Sequence, residues 1–216
     1  MPFRDRIDAA RRLARALASF APQRPVVLAV PRGAVPMGEA IAHELGGELD
    51  VVLVRKLRAP FNPEFAVGAI DEQGWCYIAD HAGSAGADPQ YLEREKREQL
   101  EILQRRRASY TPGRKPIALG GRVAIVVDDG LATGATMIAA LHSVAARKPA
   151  KLVCAVPVAS PEALEAVQPY ADEVVCLEAP ADFHAVGQFY EDFPQVGDAE
   201  VASILRGAPQ AAGCCA

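Results

Sequence analysis

The sequence has no apolar run long enough to cross a membrane as a helix, which takes about 20 residues. It also lacks an excess of positive charge, because 23 Lys and Arg stand against 27 Asp and Glu, a formal net charge of −4. This balance argues against broad, non-specific nucleic-acid binding. Residues 1–15 carry charges where a secretory signal would be apolar, and Asp5 and Asp8 do not suit a transit peptide. We therefore expect a cytoplasmic protein with no membrane partner.

Cysteine is scarce, and the five cysteines lack the spacing of metal ligands. Cys154 and Cys176 lie within apolar runs, so we expect them to be small core residues. Cys214 and Cys215 belong to a Gly- and Ala-rich segment, residues 209–216, which we expect to be a flexible tail. The sequence therefore predicts no reactive or metal-binding cysteine.

Half of the 216 residues are hydrophobic, enough to bury a full core. Short apolar runs predict strands at residues 26–30, 51–54, 75–78, 123–127, 152–156 and 174–177. Amphipathic spacing and capping residues predict helices at residues 4–20, 36–45, 88–110 and 136–146, and another that begins at Ser160. The alternation predicts an α/β fold, with a mainly parallel twisted sheet flanked by helices.

Two segments depart from this alternation. Residues 55–74 contain Pro60, Asn62 and Pro63 and have little periodicity, so we expect a mobile functional loop. Residues 181–208 are rich in aromatic side chains and are expected to form a small hood over the ligand end of the sheet. The expected organisation is a core over residues 1–180, which includes the N-terminal helix and the loop, followed by the hood.

Residues 126–136 read Val-Val-Asp-Asp-Gly-Leu-Ala-Thr-Gly-Ala-Thr, an apolar strand end, paired carboxylates and a turn of small residues. Open α/β sheets bind ligands at the carboxyl ends of their strands, where carboxylates can accept hydrogen bonds from sugar hydroxyls. Backbone N–H groups at the start of the next helix can bind a phosphate, and Gly134 permits close approach. The pattern predicts a sugar-phosphate site formed by Asp128, Asp129, Ala132, Thr133, Gly134, Ala135 and Thr136.

Other interpretations of these residues remain open. Paired aspartates at a strand end are often only a solvated turn. A nucleoside-triphosphatase loop would need a Gly-Lys-Ser/Thr sequence that is absent here. A response-regulator receiver has such a pair near the start of its chain, whereas Asp128 and Asp129 lie past its middle.

The string over residues 126–136 resembles the phosphoribosyl pyrophosphate signature of the type I phosphoribosyltransferases, and the order of elements from about residue 26 to 177 is similar. The resemblance implies a transferase of nucleotide salvage or related metabolism. It would move the phosphoribosyl group of phosphoribosyl pyrophosphate to a nitrogen acceptor and release pyrophosphate. It also implies Mg²⁺ held largely by substrate oxygens near Asp128 and Asp129. Relatives commonly dimerise, which makes a homodimer a further expectation.

The resemblance also indicates residues for the leaving diphosphate and for catalysis. Arg32 and Gly33 follow the first strand, where the family has its pyrophosphate loop. Arg55 and Lys56 match the start of the mobile loop of adenine phosphoribosyltransferases. Glu72 matches a glutamate near the end of that loop that acts as an acid or base, with Asp71 as the alternative. Arg32, Lys56 and Glu72 are therefore the candidate catalytic residues, and a solvated turn is the competing interpretation.

The acceptor is less well indicated. Ala132 stands where 6-oxopurine enzymes carry an aspartate, and the adenine enzymes share Leu-Ala-Thr-Gly but have Val or Leu where this chain has Gly130. A purine is slightly favoured. Phe183, Phe189 and Tyr190 could stack on a planar base, or could simply bury the hood. His184 is expected at the surface.

A second functional class stays open, a non-catalytic sensor of phosphoribosyl pyrophosphate or nucleotide. Its support is the basic stretch over residues 105–115, which could form one patch that contacts a partner. Arg32, Lys56 and an acidic loop residue favour the enzyme, because a sensor does not need to handle a leaving group.

Overall fold

The computed structural model describes residues 2–208, apart from the side chains at positions 63 and 64. Cys214, Cys215 and the segment 209–216 lie outside the described residues. The strands are β1 (Val26–Ala29), β2 (Glu48–Val51), β3 (Val54–Ala59), β4 (Asn62–Asp71), β5 (Cys76–Ile78), β6 (Val123–Val127), β7 (Lys151–Val158) and β8 (Glu173–Glu178). The helices are α1 (Arg6–Ala16), α2 (Val35–Glu44), α3 (Pro89–Tyr110), α4 (Ala135–Ala146), α5 (Pro161–Val167) and α6 (Asp198–Gly207).

The central sheet has five parallel strands in the order β2-β1-β6-β7-β8. Every residue of β1 and β6 is buried, which explains their continuous apolar sequence, because helices cover both faces of a parallel sheet. Ala29 pairs with Val51 on one side and with Val127 on the other. The carboxyl ends of these strands therefore meet at one edge, and the predicted mainly parallel α/β fold is confirmed.

Helix starts follow the capping residues in the sequence. The Asp88 carboxylate accepts a hydrogen bond from the Tyr91 amide at 2.7 Å and begins α3. The Ser160 hydroxyl accepts one from the Ala163 amide at 3.0 Å and begins α5. These side chains satisfy amides that have no partner within the helix, so the predicted starts are confirmed.

Residues 55–74 do not form the irregular loop that we expected. Strands β3 and β4 pair as an antiparallel hairpin, and β5 adds a third strand to this second sheet. Leu57, Val67 and Ile70 are buried, and the sheet packs against α3 and α4. Register shifts between Leu57 and Ala59 break the alternation of the side chains. The irregular pattern in the sequence therefore comes from a bulged hairpin, whose mobility stays a prediction.

The segment after β8 returns to the start of the chain. The Phe3 amide donates to the Phe189 carbonyl at 2.7 Å, and the Tyr190 ring lies 5.4 Å from the Phe3 ring and 4.7 Å from the Phe193 ring. Helix α6 then packs against α2 and α3. Over residues 2–208, no helix has the length and apolar character needed to span a membrane.

Candidate functional site

The signature lies in the turn between β6 and α4. Gly134 has φ +72°, a left-handed conformation that favours glycine, and α4 begins at the next residue. The Leu131 amide donates to the Val158 carbonyl at 3.0 Å, and the Ser160 hydroxyl donates to the Ala132 carbonyl at 2.9 Å. The turn is thus fixed from the β7–α5 side, with residues 132–136 at the amino end of α4, where a phosphate is stabilised.

The paired carboxylates have different surroundings. Burial raises the pKa of Asp128 well above the ordinary value, and the charge of Asp129 raises it further. Burial also raises the pKa of Asp129, but the nearby Arg6 guanidinium opposes this shift. Asp128 is therefore the carboxyl group that holds a proton more readily, while Asp129 has a cation as its partner.

Arg6 of α1 reaches Asp129 across the fold. Its Nε and Nη2 atoms lie 3.0 and 2.9 Å from Asp129 Oδ2, and its side chain is 10% exposed. The arginines of an amphipathic helix such as α1 ordinarily lie on its solvated face, and Arg6 is an exception. The sequence spacing could have indicated that Arg6 is buried, because Arg6 shares the helix face of the buried Ala9, Ala10 and Leu13.

The predicted diphosphate loop lies against the same carboxylate. The Pro31–Arg32 peptide bond is cis. A Cβ atom on Gly33 would lie 2.1 Å from Asp129 Oδ2, so only glycine fits at this position. Arg32 is half-exposed, with Nη1 3.5 Å from Asp198 Oδ2. The fold therefore brings Arg32 and Gly33 to the paired aspartates, which are far away in sequence.

A cleft of about 370 Å³ joins the hairpin to the signature, and its lining is mainly basic. It is lined by Val54, Arg55, Lys56, Arg58, Arg106, Thr136 and Ala139. Arg55 Nε donates to the Oε1 atom of the buried Gln99, which fixes the guanidinium. Burial and the charges of Arg106 and Arg58 lower the pKa of Arg55. This basic cleft concentrates positive charge and suits an anionic ligand.

The consecutive arginines of α3 have separate surroundings. Arg105 is exposed, Arg106 lines the basic cleft, and Arg107 is largely buried, with its side chain 12% exposed. Successive residues of a helix point about 100° apart, which separates the three side chains. These three arginines therefore do not share one face of α3, which weakens the support that the stretch over residues 105–115 gave to the sensor hypothesis.

The comparison with protein families decides the assignment. The family model of the phosphoribosyl transferase domain matches residues 4–194, which covers the strands, the signature and the start of the hood.

The chain belongs to the phosphoribosyl transferase domain family.

Relatives agree with this membership. Two Mycobacterium tuberculosis proteins, "Putative phosphoribosyl transferase MT0597" of strain CDC 1551 / Oshkosh and "Putative phosphoribosyl transferase Rv0571c" of strain ATCC 25618 / H37Rv, are each 45% identical over 204 residues. The alignments cover 94% of this chain and 46% of each relative, so the chain spans about half the length of the curated relatives it matches. The crystal structure of TT1426 from Thermus thermophilus is 50% identical, with a TM-score of 0.85, covering 95% of this chain and 98% of that chain.

Within this phosphoribosyl transferase domain, Glu72 has a structural partner. Its Oε2 atom accepts a hydrogen bond from Arg107 Nε at 2.5 Å, and Oε1 accepts one from Nη2. The alternative, Asp71, accepts hydrogen bonds from the Ser143 hydroxyl at 2.7 Å and from the Gln73 and Trp75 amides at 2.9 Å. Glu72 is not among the described residues that line the basic cleft. The structure places both predicted acids in structural contacts.

The three aromatic residues that we predicted to stack on the acceptor have different surroundings. Tyr190 is buried, and its hydroxyl donates to the Asp129 carbonyl at 2.7 Å, so an acceptor cannot stack on its ring. The Phe183 and Phe189 rings lie 5.3 Å apart. Phe183 lines a second cleft of about 470 Å³, together with Ala132, Thr133, Ser160, Glu162, Ala163 and His184. His184 is exposed, as predicted. Phe183 is therefore the aromatic candidate that faces a cleft beside the signature.

The departure from the adenine-enzyme signature at Gly130 has a structural cause. A Cβ atom on Gly130 would lie 2.7 Å from Val186 Cγ1 and 3.1 Å from Val158 Cγ1. Val186 of the hood therefore occupies the space that a Val or Leu side chain at position 130 would need. Gly130 reflects how the hood of this phosphoribosyl transferase domain packs on the signature.

Asp128→Asn is expected to raise the free energy of unfolding at neutral pH. The pKa of Asp128 is higher in the folded than in the unfolded protein, so its contribution is favourable below the ordinary carboxyl value of 3.8 and is lost as pH rises through the folded value. Each unit of elevation corresponds to about 1.4 kcal/mol. Asparagine keeps an acceptor for the Asp129 amide, 2.9 Å from Asp128 Oδ1. Urea unfolding at pH 4, 6 and 8 should show a benefit that grows with pH, and a pH-independent difference would contradict this account.

Proposed function

We propose that this domain transfers the phosphoribosyl group of phosphoribosyl pyrophosphate to a nitrogen acceptor and releases pyrophosphate. The observation that carries the proposal is the contact of Gly33 with Asp129, where a Cβ atom would clash at 2.1 Å. It joins a loop suited to a diphosphate to a turn suited to a diol and a phosphate. One ligand with all three groups fits this edge of the sheet.

Each part of the donor has a chemical counterpart. Asp128 and Asp129 accept hydrogen bonds from the ribose hydroxyls, and the amides of residues 132–136 bind the 5-phosphate. Arg32, Arg55 and Lys56 neutralise the diphosphate as it leaves, when the sugar gains oxocarbenium character. The side chains act by position and charge, because the reaction needs the reactants aligned and water excluded.

The side chains available in the site fit Mg²⁺ that is bound mainly through the substrate. Among residues 2–208, no cluster of three or more His, Cys, Asp or Glu side chains could hold a metal. Asp129 Oδ2 already accepts from Arg6, which leaves few carboxylate oxygens in the site. Magnesium bound mainly through diphosphate oxygens and water suits this arrangement, and it would neutralise charge on the leaving group.

The decisive experiment supplies the purified protein with Mg²⁺ and phosphoribosyl pyrophosphate, together with a panel of purines, pyrimidines and small amines. Pyrophosphate released with one acceptor would establish the transferase and name its substrate, within nucleotide salvage or related metabolism. A purine is expected first. Donor binding without turnover across the panel would instead identify the sensor.

The double substitution Asp128→Asn and Asp129→Asn is expected to weaken donor binding at least tenfold, about 1.4 kcal/mol. Both changes remove carboxylates that accept from the ribose hydroxyls. Isothermal titration with phosphoribosyl pyrophosphate and Mg²⁺ measures the effect. Glu98→Gln with Glu101→Gln is the matched control, since both residues are exposed on α3 and the charge change is equal. Unchanged affinity in the aspartate variant would exclude this site.

A further inference from the structure

Arg6 is a buried charged residue beside the donor site, and the proposed chemistry gives it no role. Its guanidinium has contacts on three sides: Asp129, the Pro194 carbonyl at 2.6 Å from Nη1, and the Phe193 ring, whose centroid lies 3.7 Å from Cζ. Burying a guanidinium is costly unless its charge is paired. The arrangement joins α1, the signature and the hood at one side chain.

The Arg6 contacts select one oxygen of Asp129. Nε and Nη2 both approach Oδ2, and Gly33 packs against the same atom. Tyr190 holds the Asp129 backbone through the carbonyl. The other carboxylate oxygen, Oδ1, takes no part in these contacts with Arg6 and Gly33. Arg6 thus fixes the carboxylate through Oδ2, and the lone pairs of Oδ1 can accept a hydrogen bond from a ligand.

We propose that Arg6 is a positioning residue of the donor site, which holds Asp129 through Oδ2 so that Oδ1 accepts a ribose hydroxyl of phosphoribosyl pyrophosphate. The inference rests on the proposed function. It assigns the N-terminal helix a part in donor binding, and it makes the hood sensitive to the same contact through Phe193 and Pro194.

The charges around Asp129 predict a test that distinguishes positioning from packing. Arg6 faces Asp129 from α1, Asp128 precedes it, and the Tyr190 hydroxyl lies on the hood side. Arg6 favours the ionised carboxylate, whereas Asp128 opposes it. Without Arg6, Asp129 should ionise only at higher pH, and donor affinity should follow.

The experiment compares the wild type with Arg6→Gln and Arg6→Lys. Dissociation constants for phosphoribosyl pyrophosphate with Mg²⁺ are measured from pH 5 to 8.5. Arg6→Gln should weaken binding about tenfold at neutral pH, with the pH midpoint of binding moved upward. Arg6→Lys keeps the charge and should restore the wild-type midpoint with part of the affinity. With an acceptor that turns over, KM for the donor should rise more than kcat falls.

Phe193→Leu is the matched control, because it removes the ring under Arg6 but keeps the ion pair. It should leave the pH midpoint unchanged. Equal midpoints in all variants would overturn the proposal, leaving Arg6 a packing residue. If Arg6→Gln does not fold, the donor affinity of Arg6→Lys decides: lysine lacks the second N–H donor to Asp129 Oδ2, so a loss of affinity is expected, and wild-type affinity would overturn the proposal. A wild-type protein that binds no donor would overturn the proposed function together with this inference.

Discussion

Replacing Arg107 with methionine is expected to lower the free energy of unfolding by about 3–5 kcal/mol. Arg107 bonds Glu72 through Nε and Nη2, Asp50 Oδ1 through Nη1 at 2.7 Å, and the Val51 carbonyl through Nη2 at 3.0 Å. The side chains of Asp50 and Glu72 are 2% and 10% exposed. Methionine fills much of the space, but it leaves these carboxylates without their cation.

The direction of the pKa shift of Arg107 shows whether burial or the attraction of the carboxylates is larger in the folded protein. Burial alone lowers the pKa of Arg107, yet the hydrogen bonds and charges of Glu72 and Asp50 raise it overall. The attraction therefore exceeds the desolvation of the guanidinium.

Urea unfolding at pH 7.5 measures the loss of stability in Arg107→Met, with Arg105→Met as the matched control. Arg105 is two positions away on the same helix and exposed, so its replacement should change stability by about 0.5 kcal/mol or less. Equal urea midpoints for the two variants would show that the contacts of Arg107 contribute little to stability.

The same network explains one error of the sequence interpretation. The apolar run at residues 51–54 predicts a strand there, whereas β2 spans Glu48–Val51 and includes the buried Asp50. An acidic residue ordinarily argues against a buried strand. Asp50 is tolerated because Arg107 pairs with Oδ1 and the Ile117 amide donates to Oδ2 at 3.0 Å. These partners lie 57 and 67 residues away, so no local pattern shows them.

The sequence was sufficient to predict those elements that depend on local chemistry. The apolar runs identify β1, β6, β7 and β8, and Asp88 and Ser160 mark the starts of α3 and α5. The signature residues could be placed at a strand end for the same reason. What faces each helical arginine depends on tertiary packing, so the separate surroundings of Arg105, Arg106 and Arg107 could not be predicted. Glu72 illustrates the same limit, since its partner Arg107 is 35 residues away.

Arg106→Gln is expected to weaken pyrophosphate binding by about 1.5–3 kcal/mol, about 10- to 150-fold. Arg106 shares the basic cleft with Arg55, Lys56 and Arg58, and Thr136 of the signature lines the same cleft. If the diphosphate of the donor enters this cleft, glutamine removes a full charge and a fork of donors at the leaving group. Neither the motif nor the hairpin sequence indicates Arg106, because α3 brings it from another part of the chain.

The Arg106→Gln variant should lose affinity for pyrophosphate without losing stability. This combination distinguishes a ligand-binding role of Arg106 from a structural one. Arg106 lowers the pKa of Arg55 through like-charge repulsion and lowers the pKa of Asp198 through attraction, so its removal loses one favourable and one unfavourable interaction in the ligand-free protein. Titration with pyrophosphate and Mg²⁺ alongside urea unfolding should therefore show weaker binding with nearly unchanged stability. Arg105→Gln, which carries the same charge change on the exposed side of α3, should retain wild-type affinity. Equal losses in both variants would indicate a general charge effect and place the diphosphate outside the basic cleft.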